Sequence, residues 1–178
     1  MSASVRERFW PRGSAVLDIG CGAGSNVLYL ARSGFRAHGI DLSPGAVRAA
    51  RERARKLGLT VSVREGDALA IPYPAGRFAG AMDNGCFHTL PIRRRAEYAR
   101  EVARVVRPGG GYLLSWVARE YTRPFGPPHR PSLREIADVF EPRFHFERVA
   151  AQPLSARHHL PTYAAWMTRR RSPQPPRR

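Results

Sequence analysis

Apolar and polar positions follow two rhythms along this chain, and the switches between them mark its elements. Val16, Leu17 and Ile19 form a short apolar run that predicts a buried strand. The run ends in a turn carrying Gly20, Gly22 and Gly24, with Ser25 and Asn26 where a helix cap belongs. Val27, Leu28, Leu30 and Ala31 then outline a helix over 25–32, closed by Gly34. A second strand is expected over 35–40, ending at Asp41. In "SPGAVRAARERARKLG", Ser43 is a cap, Pro44 suits the first helical position and Gly58 ends the helix. Val61 and Val63 alternate in a third strand over 60–64, which exits at Gly66 and Asp67.

After the proline-punctuated "ALAIPYPAGRF", a fourth strand is expected over 78–82, then Asp83 and the irregular stretch "NGCFHTLP". A helix follows over 92–106, with Tyr98, Val102, Val105 and Val106 toward a core and its arginines mostly toward solvent; Pro108 and Gly109 to Gly111 should stop it. A fifth strand over 112–117, a proline- and charge-rich loop over 119–130, a helix over 132–140 and strands near 144–150 and 162–168 complete the order. Residues 2–10 allow a helical turn or two before Pro11. This alternation predicts a doubly wound α/β sheet with helices on both faces and a late antiparallel edge. Ligands of such sheets lie across the carboxyl ends of the strands, so the positions to read are Gly20 to Gly24, Asp41, Asp67, Asp83 to His88 and Ser115 to Arg119.

The 178 residues suit one domain, taken as 1–170, with a basic, proline-rich tail over 171–178 expected to be disordered. No apolar run approaches the ~18 residues of a membrane span, and the first residues lack the apolar core of a secretory signal. Cys21 and Cys86 are too few for a disulfide framework, so a reducing, cytoplasmic setting is expected. Charge alters this bland picture: 30 Lys and Arg against 14 Asp and Glu give a formal +16, and Lys56 is the one lysine. Such a surface attracts polyanions, which brings nucleic acid into consideration without supplying any reader of bases.

The glycine turn lets backbone amides approach a ligand, but many α/β domains have one. A dinucleotide fingerprint, G-x-G-x-x-G, fails by one place, because the third glycine is Gly24 and Ser25 holds the later position. A phosphate-binding P-loop lacks its G-K-[ST]. The six histidines show no metal-ligand spacing, and the pair His158-His159 reads as surface, so no metal is expected. Asp41 stands close to the ~20 residues beyond the turn at which an acid accepts from ribose hydroxyls.

Four stretches in order, "VLDIGCGAGSN", "GIDLS", "GDA" and "RVVRPGGGYLL", resemble the motifs of class I methyltransferases that use S-adenosyl-L-methionine. The resemblance spans Val16 to Leu114. It implies a Rossmann-like, seven-stranded sheet, mostly parallel with an antiparallel last strand, and an enzyme whose other product is S-adenosyl-L-homocysteine. It sets the backbone of Gly20, Cys21, Gly22 and Gly24 against the ribose and methionine, with Asp18 anchoring the turn or meeting the ammonium group through water. Asp41 takes the ribose, Leu42 packs on the adenine, Asp67 and Ala68 lie at the adenine edge, and Asp83 and Asn84 lie under the methionine.

The stretch "DNGCFHTL" is similar to the thiopurine, thiol, halide and tellurite methyltransferase group, implying a small acceptor with a soft nucleophile. There His88 orients the acceptor; with an oxygen or nitrogen acceptor it becomes the general base, with Asp83 as the second candidate catalytic residue. Cys86 reads as a small apolar filler. The N/D-P-P-Y/F signature of many base methyltransferases is absent, which weighs against nucleic acid as substrate. Relatives usually carry a longer segment before the first strand, so the lid is expected to be short, built from Phe9, Trp10 and the Tyr121 to Arg130 loop, or missing because the chain starts late, with Trp116, Tyr121 and Phe125 as candidate acceptor walls. Two other readings stay open: an RNA-associated methyltransferase or basic nucleic-acid-binding protein, and a domain that binds the cofactor without transferring anything.

Overall fold

The structure, a computed structural model, describes residues 9–117, 129–155 and 158–171. The expectations for residues 2–8, for Tyr121 and Phe125 in the 118–128 stretch, and for the tail beyond Arg171 lie outside the described residues.

The described residues build one seven-stranded sheet. Its first half runs β1 (Ala15–Ile19), α1 (Ser25–Arg32), β2 (Arg36–Asp41), α2 (Pro44–Lys56), β3 (Ser62–Glu65) and β4 (Phe78–Asn84). After two 3-10 turns, Phe87–Thr89 and Ile92–Arg94, come α3 (Arg95–Val105), β5 (Val106–Val117), α4 (Leu133–Phe140), β6 (Phe144–Ser155) and β7 (His158–Arg169). The strand order is β3-β2-β1-β4-β5-β7-β6, and β7 alone runs antiparallel to its neighbours. This is the Rossmann-like arrangement expected. The order reverses at β1, whose neighbours β2 and β4 leave a crevice at their carboxyl ends.

Strand alternation sorts the core onto two faces. Leu17 and Ile19 face one cluster with Phe78, Tyr98, Tyr112, Leu114 and Phe140, under α3 and α4. Val16 faces the other with Val27, Leu30, Val47, Met82 and Trp166, under α1 and α2.

Several local expectations change. Gly24, not Ser25 or Asn26, is the N-cap of α1, and no side chain caps it. Ser43 does cap α2, accepting from the Ala46 amide at 3.3 Å. Pro108 and the glycines do not separate α3 from the fifth strand. The chain is already extended from Val106, and its surplus residues loop out where pairing with β4 jumps from Phe78↔Val106 to Gly80↔Gly111. Arg95 is buried, with its guanidinium over the Phe87 ring and donating to the His129 carbonyl. Trp10 is no lid: its indole lies on the sheet where a Gly80 Cβ would stand, and its Nε1 donates to the Gly111 carbonyl at 3.1 Å. Phe9 packs beside it against Gly111.

Candidate cofactor and acceptor site

A cavity of about 360 Å³ opens at the carboxyl ends of β1, β2 and β4. Gly20, Asp41, Leu42, Asp67, Ala68 and Asn84 line it, all named by the sequence for a cofactor, together with Gly66, Gly85, Cys86, Thr89 and Leu90. Asp41 organises the rim: Oδ2 accepts from the Gly22 amide at 2.8 Å and Oδ1 from the Ser43 amide at 2.9 Å. That locks the glycine turn to the end of β2 while leaving each oxygen a second lone pair. Leu42 is 76% exposed, an apolar flat beside the acid. Asp67 closes its own turn by accepting from the Leu69 amide at 2.8 Å.

The other expected contacts lie behind the cavity wall. Gly22 reaches it through Asp41, while Cys21, Gly24 and Asp18 are not among its lining residues. Asp18 is fully buried, and neither carboxylate oxygen has a hydrogen-bond partner. Burial, then the negative charges of Asp83 and Asp41, pushes its carboxyl well above the usual carboxylate range.

Asp83 does not face the cavity. Its carboxylate is buried and accepts from the Cys86 amide at 2.8 Å, the Phe87 amide at 2.9 Å and the Tyr98 hydroxyl, which also meets the Tyr112 hydroxyl at 3.0 Å. Burial raises its pKa to about 6 against these donors. These partners make it the fastening of the Asn84–Phe87 loop. Burial likewise raises both thiols, Cys21 to about 12 and Cys86 higher, so neither is a thiolate near neutral pH.

A second cavity of about 340 Å³ lies on the other side of Asn84 and Gly85, which line both. Its remaining walls are His88, Ser115, Trp116, Val117 and Thr162. The His88 Nδ1 accepts from the Val117 amide at 3.3 Å, so the neutral ring carries its proton on Nε2. Burial, then the charge of Arg95, lowers its pKa to about 4. Gly85, at φ +105, gives the ring room, since a Cβ there would stand 3.4 Å from Nε2. In this arrangement Nε2–H is the ring's donor on the cavity side. Trp116 was a candidate wall; Thr162, from β7, was missed because only the fold brings it to the end of β5.

Comparison with known proteins matches residues 16–110 to the family described as "Methyltransferase domain". The chain belongs to this family. The methyltransferase domain is 34% identical over 130 residues to 2-heptyl-1-hydroxyquinolin-4(1H)-one methyltransferase of Mycobacteroides abscessus, covering 70% of this chain and 57% of that protein. Against 2-methyl-6-phytyl-1,4-hydroquinone methyltransferase of Synechocystis it is 31% identical over 172 residues, covering 88% and 53%. The chain thus spans little more than half the length of these relatives. A SAM-dependent methyltransferase structure from Methanosarcina mazei superposes with a TM-score of 0.84 at 19% identity, covering 93% of this chain and 96% of that one, which establishes the fold. Neither named relative belongs by its name to the thiol, halide and tellurite group.

The cofactor of the methyltransferase domain is S-adenosylmethionine, and the cavity residues fit it. Asp41 keeps lone pairs free, Leu42 exposes an apolar side chain beside it, and the turn at Gly20 puts no side chain in the way. The unpartnered Asp18 carboxylate is a buried acceptor placed under this turn.

Proposed function

We propose that this domain transfers a methyl group from S-adenosylmethionine to a small, largely apolar molecule whose nucleophile ionises without help from the protein, a thiol foremost and an acidic hydroxyl next. The second cavity carries this reading: it meets the cofactor cavity across Asn84 and Gly85, and His88, the one titratable side chain among its described walls, has its Nδ1 occupied by the Val117 amide. Bound cofactor supplies a methyl already activated on a sulfonium. What the chain must do is hold the acceptor in line and keep water out. Asn84 and Gly85 separate the two ligands, Trp116 and Val117 provide apolar wall, and the Nε2–H of His88 can hold an acceptor oxygen or thiolate in register.

With no free base among the described walls, an aliphatic alcohol or a protonated amine has no group there to take its proton. A thiol, with pKa about 8.5, ionises in part unaided. The hydroxyquinolinone in the name of the M. abscessus relative favours the acidic-hydroxyl version. Methyl transfer to thiols, N-hydroxyquinolones, fatty acids, alcohols and a single-stranded RNA, followed by mass spectrometry, tests the proposal. The expected result is turnover on the first classes, with a pH profile that moves with each acceptor's own pKa. One inflection common to all acceptors, or turnover confined to RNA, would overturn it, and no turnover alongside normal cofactor binding would favour a silent binding domain.

A further inference from the structure

The sequence leaves the arginine excess without a partner, and the fold gathers part of it at one place. At the end of the sheet opposite the cofactor cavity, Arg100 and Arg104 of α3 meet Arg143, just before β6, and Arg169, Arg170 and Arg171 at and beyond the end of β7. With Ala103 they line a concavity of about 280 Å³, and no acidic residue is among its described walls. The length of β4, roughly 20 Å at strand rise, separates it from the cofactor cavity.

The cluster is built rather than accidental. Arg104 is held by Glu101 and by the carbonyls of Ile71 and Tyr73. Arg169 donates to the Val106 carbonyl, and Arg170 donates from Nε to the Glu141 carbonyl at 2.9 Å and from its amide to the Arg143 carbonyl at 2.8 Å. Among the described residues, only Arg104 of the six has a carboxylate partner. Like charges held this close repel, and burial together with Arg100 lowers the pKa of Arg143. Such an arrangement lowers its free energy by taking up an anion of several charges.

The geometry points to this pocket as a binding site for a compact oligophosphate, such as the phosphate chain of a nucleoside triphosphate, separate from the methyl-transfer site. Guanidinium forks match phosphate oxygens in pairs. A concavity closed by two chain segments and a helix suits a compact chain of phosphates better than the long, open track of a nucleic-acid backbone. The inference does not rest on the methyl-transfer reading.

Calorimetric titration of the full chain with sodium triphosphate tests it. One site is expected, and Arg100→Gln with Arg143→Gln should weaken it at least about tenfold, as expected when charge-assisted bonds are lost. Arg48→Gln with Arg55→Gln removes the same charge from α2 and should leave the affinity unchanged. Arg100→Gln alone, at an exposed helical position, should show a several-fold loss if the double variant does not fold. No binding, or equal losses in both pairs of variants, would reduce the pocket to part of a diffuse field and overturn the site. A single-stranded RNA that binds the pocket and is not displaced by triphosphate would overturn the compact-ligand assignment.

Discussion

Replacing Gly20 with Ala should damage the protein more than replacing Gly22 with Ala, although both glycines have positive φ, +68 and +52. The left-handed backbone costs an L-residue about 1–2 kcal/mol in either place. A Cβ at Gly22 meets nothing within 4 Å, so that cost is the whole effect there. A Cβ at Gly20 would stand 2.6 Å from Cβ and 3.0 Å from Sγ of Cys86, closer than packed carbons come. Overpacking of this kind costs about 1–3 kcal/mol more, bringing Gly20→Ala to about 2–5 kcal/mol. The overlap is with the Cys86 Cβ itself, so Cys86→Gly should relieve it while Cys86→Ala should not. Urea unfolding of Gly20→Ala, Cys86→Gly and the double variant forms a cycle whose coupling should be about 1–3 kcal/mol, favourable to the double variant. Calorimetry with S-adenosylmethionine should show the single Gly20→Ala variant binding more weakly, since Cys86 and the loop fastened by Asp83 line the same cavity. Equal destabilisation by Gly20→Ala and Gly22→Ala, with no coupling to position 86, would refute the apposition of the two loops.

Asp41→Ala should weaken S-adenosylmethionine binding by about 1.5–3 kcal/mol, read by calorimetry, because it removes the acceptor for ribose and unties the Gly22 and Ser43 amides. Asp83 has its pKa raised from 3.8 to about 6, so the folded state holds a proton that the unfolded state releases. Its contribution to stability is full below about pH 4 and lost as the pH rises through about 6, an amount on the order of 3 kcal/mol. Urea midpoints measured across this range should show that fall, and Asp83→Asn should remove it from the difference between the two proteins; a flat difference would contradict the assignment. The His88 imidazole should show no titration by NMR between about pH 5 and 8, and His88→Ala should lower kcat without shifting the pH profile, whereas an inflection that disappears with the variant would restore it as a base.

The first half of the fold was legible because its signals are local. The bounds of α1 follow from one apolar face between two glycines, and the Ser43 cap with Pro44 behind it defines the start of α2. The start of β5 was missed because Pro108 and three glycines look like a break, while partnership with β4 lets the surplus residues loop out of an otherwise extended chain. Ser132 and Glu135 form a capping box whose spacing was visible all along. At the site, lining residues that follow strand ends were readable, but the state of each titratable group was not. Asp83 looked available until Tyr98, from the next helix, and two amides of its own loop were found on its carboxylate. The sequence allows His88 to orient an acceptor or to act as a base, and the Val117 amide on Nδ1 could not be read from it. Both contacts depend on how separate segments cross, which periodicity does not encode.

The insertion of β7 between β5 and β6 bears on the order in which the molecule assembles. Because β6 touches the sheet only through β7, it has no place to dock until β7 exists. The two late strands therefore pair first with each other, at short sequence separation, and then join β5 as a unit. During synthesis β5 waits with an open edge until α4, β6 and β7 have emerged, and an open edge is where chains pair wrongly. Since β7 contributes Ala165 and Met167 to one core and Ala164 and Trp166 to the other, a chain cut before it loses both layers at once. Completion of the sheet thus waits on β7.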